Sequence, residues 1–149
     1  MEREVLDEVG PAVAKRGYYN RGDLRKVALW KSPRSTGYID RNGDSDIEDL
    51  TRIALAAPER LRHRLLCLLD GVGVPIASAL LTACEPSVFT VIDYRAIDTL
   101  RAHGELSQRP SYTSYLQVCS ELAKRLDTDL RTLDRALWQW SKEQDKASQ

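Results

Sequence analysis

At 149 residues, with 42% hydrophobic and 30% charged side chains, the chain is long enough to bury one core and too apolar to remain disordered. Its 22 Lys and Arg balance 22 Asp and Glu, a formal net charge of zero that excludes a protein coating nucleic acid by bulk phosphate neutralisation. No run approaches the roughly 18 apolar residues of a membrane helix, and Met1-Glu2-Arg3-Glu4 opens no secretory signal, so a cytoplasmic protein without membrane contact is expected.

Apolar residues recur with a period near 3.6 and never alternate with period two for long, which predicts an all-α fold. Val5, Leu6, Val9 and Val13 mark a first helix that Gly10-Pro11 can kink or split and Gly17 ends. Asn20 caps a second through Trp30, with Leu24, Val27 and Ala28 inward, before Lys31-Ser32-Pro33-Arg34 breaks the pattern and a polar loop follows. Ser45 and Glu48 form a capping box ahead of Ile47, Leu50 and Ala54. Pro58 suits the first turn of the next helix, striped by Leu61, Leu65 and Leu68. Pro75 starts its partner, whose Ala77, Leu80, Leu81 and Cys84 pack back on it until Glu85-Pro86-Ser87.

Beyond the short apolar run at 90–92, Asp93 stands at the N-cap of a helix reaching about Ala102, with Gly104 just past its end. A helix from about Ser111 to Arg125 follows. Thr128 caps the last, where Leu130, Leu133, Leu137 and Trp140 line one face and the tail frays after Glu143. A single domain over 1–149 is expected, with an N-terminal lobe at 1–57 and the remaining helices at 58–149. Cys67, Cys84 and Cys119 are widely spaced and read as buried, reduced thiols, and His63 and His103 lack ligand spacing, so no metal site is expected.

Charge is uneven. Lys15, Arg16, Arg21, Arg25, Lys26, Lys31 and Arg34 share their segment with one acid, Asp23, whereas Asp40, Asp44, Asp46, Glu48 and Asp49 crowd the next. The segment reads either as a local basic face or as solvated helix surface.

The most informative stretch is Leu69-Asp70-Gly71-Val72-Gly73-Val74-Pro75-Ile76-Ala77, a glycine hairpin between two apolar helical segments. Glycines reach conformations that turn the chain tightly and leave bare N–H groups at the start of the next helix, where a phosphate can bind. The isolated turn is equally a ligand-free helix connection. Eighteen residues after Pro75 comes Asp93, within Val91-Ile92-Asp93-Tyr94-Arg95. The hairpin and this aspartate together resemble the helix-hairpin-helix DNA glycosylase superfamily of endonuclease III-like, adenine-specific and 8-oxoguanine enzymes, over roughly residues 58–102.

The resemblance implies a short form of that two-lobed all-α architecture. In it Leu69, Gly71, Val72, Gly73, Val74 and Ile76 hold a backbone phosphate of double-stranded DNA, with a monovalent cation at hairpin carbonyls and no other cofactor. Asp93 would be catalytic, stabilising the oxocarbenium-like sugar and orienting water as a modified or damaged base leaves. Arg95 would meet a phosphate or a carboxylate. Pro75 occupies the position of the lysine that forms a Schiff base in bifunctional members, so the resemblance implies a monofunctional hydrolase acting as a monomer. The iron–sulfur loop of some members needs four cysteines, which this chain lacks.

Trp30, Lys31 and Arg34 combine an aromatic plate with two cations and suit the rim of a base pocket, as does Trp138, which cannot share the face of Trp140. Tyr18, Tyr19 and Tyr38 are candidate wedges for the duplex. Two other readings use the same residues: a noncatalytic helix-hairpin-helix module in which Asp93 is only a cap, and an interaction domain that no longer meets nucleic acid.

Overall fold

The computed structural model describes residues 1–148, and every regular element among them is helical. The chain divides into two units, Met1–Pro86 and the residues from Ser87 onward. No helix among the described residues is long and apolar enough to cross a membrane.

The first unit opens with a continuous helical run, α1, over residues 2–16. Gly10-Pro11 neither kinks it sharply nor splits it. Pro11 has no N–H to give, and the run absorbs this with a π-helical turn over Val5–Val9, in which Gly10 N–H bonds to the Val5 carbonyl five residues back. Gly10 has a further reason to lack a side chain, because a Cβ there would lie 1.8 Å from the carbonyl oxygen of Ala83. Helix α2, Arg21–Lys31, begins as its sequence predicts, with the Asn20 side chain accepting from Asp23 N–H.

The expected polar loop is partly helical: a 3₁₀ turn at Pro33–Ser35 leads into α3, Thr36–Ile39, which drives Ile39 fully into the core. Helix α4, Asp44–Ala56, starts before the predicted capping box. Gly43 is its N-cap and accepts from Ile47 N–H, while Asp44 is held by Arg21 at 2.6 Å, so Ser45 already lies inside the first turn.

Helix α5, Glu59–Leu66, takes Pro58 as N-cap, and α6, Val74–Cys84, follows the hairpin. The stripe of α5 differs from the predicted one. It buries His63 and Leu66, and Leu68 is exposed, because the helix ends at Leu66 and the turn that follows carries Leu68 out of helical register. Every residue from Ile76 to Ala83 is buried, as expected of a helix surrounded by others, and α1, α2 and α5 all pack on it. Removing a side chain the size of Leu80 from such a site costs about 2–5 kcal/mol. Tyr19, fully buried, ties this unit together: its hydroxyl donates to Leu80 O at 2.6 Å and its N–H to Thr51 Oγ1 at 2.9 Å. That burial removes Tyr19 from the candidate wedges.

The second unit begins with a turn and an irregular segment whose Phe89, Val91 and Ile92 are buried. Its carbonyls are caught by two buried tyrosines, Tyr112 Oη donating to Thr90 O at 2.8 Å and Tyr115 Oη to Val91 O at 3.2 Å. Helix α7, Tyr94–Ala102, then starts at Asp93, and Thr99 Oγ1 donates to Leu137 O at 2.6 Å to pin it on the last helix. Helix α8, Tyr112–Arg125, matches the predicted span closely, with Ser111 just outside it as the N-cap.

The N-cap of α9, Leu130–Ala147, is Asp129 rather than Thr128. Asp127 adopts a left-handed conformation and Thr128 N–H bonds back to Ala123 O, so Thr128 completes the preceding helix end and is not free to start the next. The tail stays helical past Glu143 because Asp145 pairs with Arg95 at 2.7 Å and Gln139 reaches Glu143 at 3.1 Å.

Candidate nucleic-acid interface

The hairpin, residues 67–73, joins α5 to α6 and is shaped from two directions. At its apex Gly71 has φ +78°, and a Cβ there would meet Ile39 N and Tyr38 Cβ at 2.8 Å, so packing and backbone conformation both demand glycine. Across from it, Asn42 clasps the turn: its Oδ1 accepts from Asp70 N–H at 2.9 Å, and its Nδ2 donates to Asp70 O at 3.0 Å and Ile39 O at 2.8 Å. Nothing in the sequence marked Asn42, since its partner lies 28 residues away.

The side chains of Leu69, Val72 and Ile76 are buried, leaving these residues only their backbones to offer a ligand. Val72 N–H is taken by Leu69 O and Ala77 N–H by Gly73 O. Among the described residues no acceptor takes the N–H groups of Gly71, Gly73, Val74 or Ile76. Gly73 and Val74 are exposed, Pro75 follows at the first turn of α6, and a Cβ on Gly73 would touch only Pro75 Cδ at 3.8 Å. The start of an eleven-residue helix thus presents open donors at its positive dipole end. Arg41 stacks over the exposed Tyr38 ring at 4.7 Å beside the Gly71 backbone.

The basic segment does not form the open cationic face that its composition allows. Arg16 pairs with Asp23 at 2.8 Å, Arg25 with Asp40, Lys26 with Glu4 at 3.0 Å, and Arg21 with Asp44, Asp40 and the Asn42 carbonyl. The Arg25 hydrogen bond holds the Asp40 carboxyl below its ordinary range. Trp30 and Lys31 are half-buried at the end of α2, and Arg34 is exposed on the 3₁₀ turn, so the three are neighbours on one connection.

In the second unit, Asp93 is half-buried and its Oδ1 accepts from Ala96 N–H at 2.9 Å. Its other carboxylate oxygen has no hydrogen-bond donor among the described residues. Arg95 and Trp138 lie together, the guanidinium 5.5 Å from the indole centroid. Arg95 is engaged within its own unit, with Nη1 on the Asp145 carboxylate at 2.7 Å and Ser141 Oγ at 3.4 Å. Burial pushes the Cys84 thiol up to about 11 and Cys119 up to about 12, so both are neutral near pH 7 and neither is a nucleophile.

Set against protein-family models, curated protein sequences and solved structures, the chain matches none.

Proposed function

We propose that this chain is a helix-hairpin-helix protein that binds double-stranded DNA through the backbone of residues 71–76 and hydrolyses the N-glycosidic bond of a modified or damaged base with Asp93. The observation that carries the reading is the pair of exposed, unclaimed N–H groups at Gly73 and Val74, on a turn that Asn42 and Gly71 hold in one shape. Donors fixed before a ligand arrives lose little entropy on binding it. Hairpin carbonyls could add a monovalent cation, and no other cofactor enters the proposal.

An aspartate at an N-cap keeps one oxygen on the backbone and can turn the other toward a developing positive charge, so capping and catalysis use different atoms of Asp93. Water would attack the sugar carbon as the base departs, giving a free base and an abasic strand. Pro75 has no primary amine, so no imine forms there.

The noncatalytic module remains the second reading, and the pairing of the basic segment favours it, because a protein that must bend DNA and extrude a nucleotide gains from many phosphate contacts. A panel of duplexes carrying single modified or mispaired bases separates the two. Release of a free base, with an intact abasic strand that breaks only in alkali and no borohydride-trapped adduct, supports the hydrolase. Asp93→Asn keeps a good N-cap and should abolish release while leaving affinity. Undiminished release by that variant removes Asp93 from the mechanism; duplex binding without release from any substrate leaves the binding module.

A further inference from the structure

The second unit carries a cluster of aromatic and cationic side chains beside Asp93 that the proposed reaction does not use. Tyr94, the residue after Asp93, is 66% exposed, and Trp138 on α9 is 40% exposed. The Arg95 guanidinium sits between the two rings, 5.4 Å from the Tyr94 centroid and 5.5 Å from that of Trp138. Asp145 and Ser141 hold it there, and its side chain is only 19% exposed, so it acts as a fixed wedge setting the spacing of the rings. Lys142, one turn after Trp138, places its ammonium 5.0 Å from the indole centroid and forms no ion pair among the described residues.

Exposed aromatic rings that share one cation mark a candidate contact surface, and the partner's chemistry follows from what surrounds them. Arg95 covers one face of the Tyr94 ring, and the ring's high exposure leaves its other face to solvent. A planar, electron-poor heterocycle stacks there, worth about 1–3 kcal/mol per base in comparable sites. Lys142 supplies the unpaired positive charge that a phosphate one bond system away from the base requires. An aliphatic peptide would use neither the open ring face nor the free ammonium.

We propose that Tyr94, Trp138 and Lys142, held with Arg95 in the second unit, form a docking surface for an unpaired nucleotide, and that the protein prefers DNA that contains unstacked bases. The inference rests on the nucleic-acid partner of the proposed function and is independent of catalysis by Asp93. A base in a closed duplex has no free face to offer, so the surface adds affinity only where pairing is interrupted.

The test compares the affinity of the full chain, by fluorescence anisotropy, for three labelled DNAs: a continuous duplex, a duplex interrupted by four unpaired thymidines, and the same interruption built from abasic residues. Expected is at least tenfold tighter binding to the thymidine-interrupted duplex than to either other DNA. Trp138→Ala and Tyr94→Ala should erase that preference, Trp138→Phe should keep most of it, and Lys142→Gln should reduce it. None of these should alter continuous-duplex affinity, which Gly73→Val lowers. If the continuous duplex binds and responds to Gly73→Val while the thymidine interruption gives no gain, this inference falls and the proposed function stands. If no DNA binds, both fall. If Trp138→Ala instead dissolves a concentration-dependent dimer seen by sedimentation, with no change in DNA preference, the surface is a protein contact and the inference is overturned.

Discussion

The hairpin and the basic segment look alike as nucleic-acid signals in the sequence, and the fold treats them in opposite ways. Residues 15–34 carry seven cations, and four of these are engaged by Asp23, Asp40, Asp44 and Glu4. The hairpin carries no cation between Leu69 and Ala77, yet its backbone donors are the polar groups the fold leaves open. Formal charge counts what a chain carries; binding depends on what folding has not already used. An exposed ion pair adds little stability, about 0–1 kcal/mol, but it cancels most of the field that a phosphate would otherwise meet.

The largest effect should separate the two glycines of the hairpin. Gly71→Val combines a left-handed backbone with a 2.8 Å approach to backbone and Cβ atoms, and is expected to destabilise the first unit by about 3–5 kcal/mol in urea unfolding. Gly73→Val has ordinary space and an extended backbone, so stability should change by less than about 1 kcal/mol while duplex affinity falls about tenfold. Loss of stability in both would mean the hairpin is shaped for packing alone.

Asn42→Ala comes next. It removes three hydrogen bonds to backbone atoms of Asp70 and Ile39, and about 2 kcal/mol of stability should go with them. Because the turn loses its fixed shape, duplex affinity should fall as well, and hydrogen exchange should rise at residues 69–73 before it rises in α6.

The smallest effect concerns the basic segment. Asp40→Asn frees Arg25 and removes one partner of Arg21, and should raise duplex affinity by a few fold at low salt with little change in stability. The lowered Asp40 carboxyl fixes the sign of its pH dependence: its small stabilising contribution is complete above the ordinary carboxyl value of 3.8 and disappears as pH falls through the lower folded value. An acid titration of wild type and Asp40→Asn should therefore converge below that range. Unchanged affinity in Asp40→Asn would show that the segment lies away from DNA even when unpaired.

What was legible in the sequence was local. Asn20 and Asp93 act as N-caps because a short polar side chain bonds a donor three residues on, and that relation lies wholly within the motif. The misplaced start at Ser45 is overridden from a distance by Arg21 holding Asp44, whereas Thr128 yields to a competing local motif, the left-handed end of α8 at Asp127. Arg95 and Trp138 lie together, but no local pattern signals that Asp145, 50 residues away, takes the guanidinium. Tyr112 and Tyr115, which hold the irregular segment before Asp93, were unreadable for the same reason: their partners are backbone carbonyls more than twenty residues distant.

The central claim, that the hairpin backbone and not the basic segment anchors DNA, is tested most directly by the salt dependence of duplex binding. Each phosphate neutralised by a cation contributes about −0.9 to the slope of log affinity against log salt. With most of the basic segment paired internally, a shallow slope of about −2 to −3 is predicted, unchanged in Lys26→Gln, alongside the affinity loss in Gly73→Val. A slope of about −6 or steeper, relieved by substitutions in the basic segment and indifferent to Gly73→Val, would contradict the account.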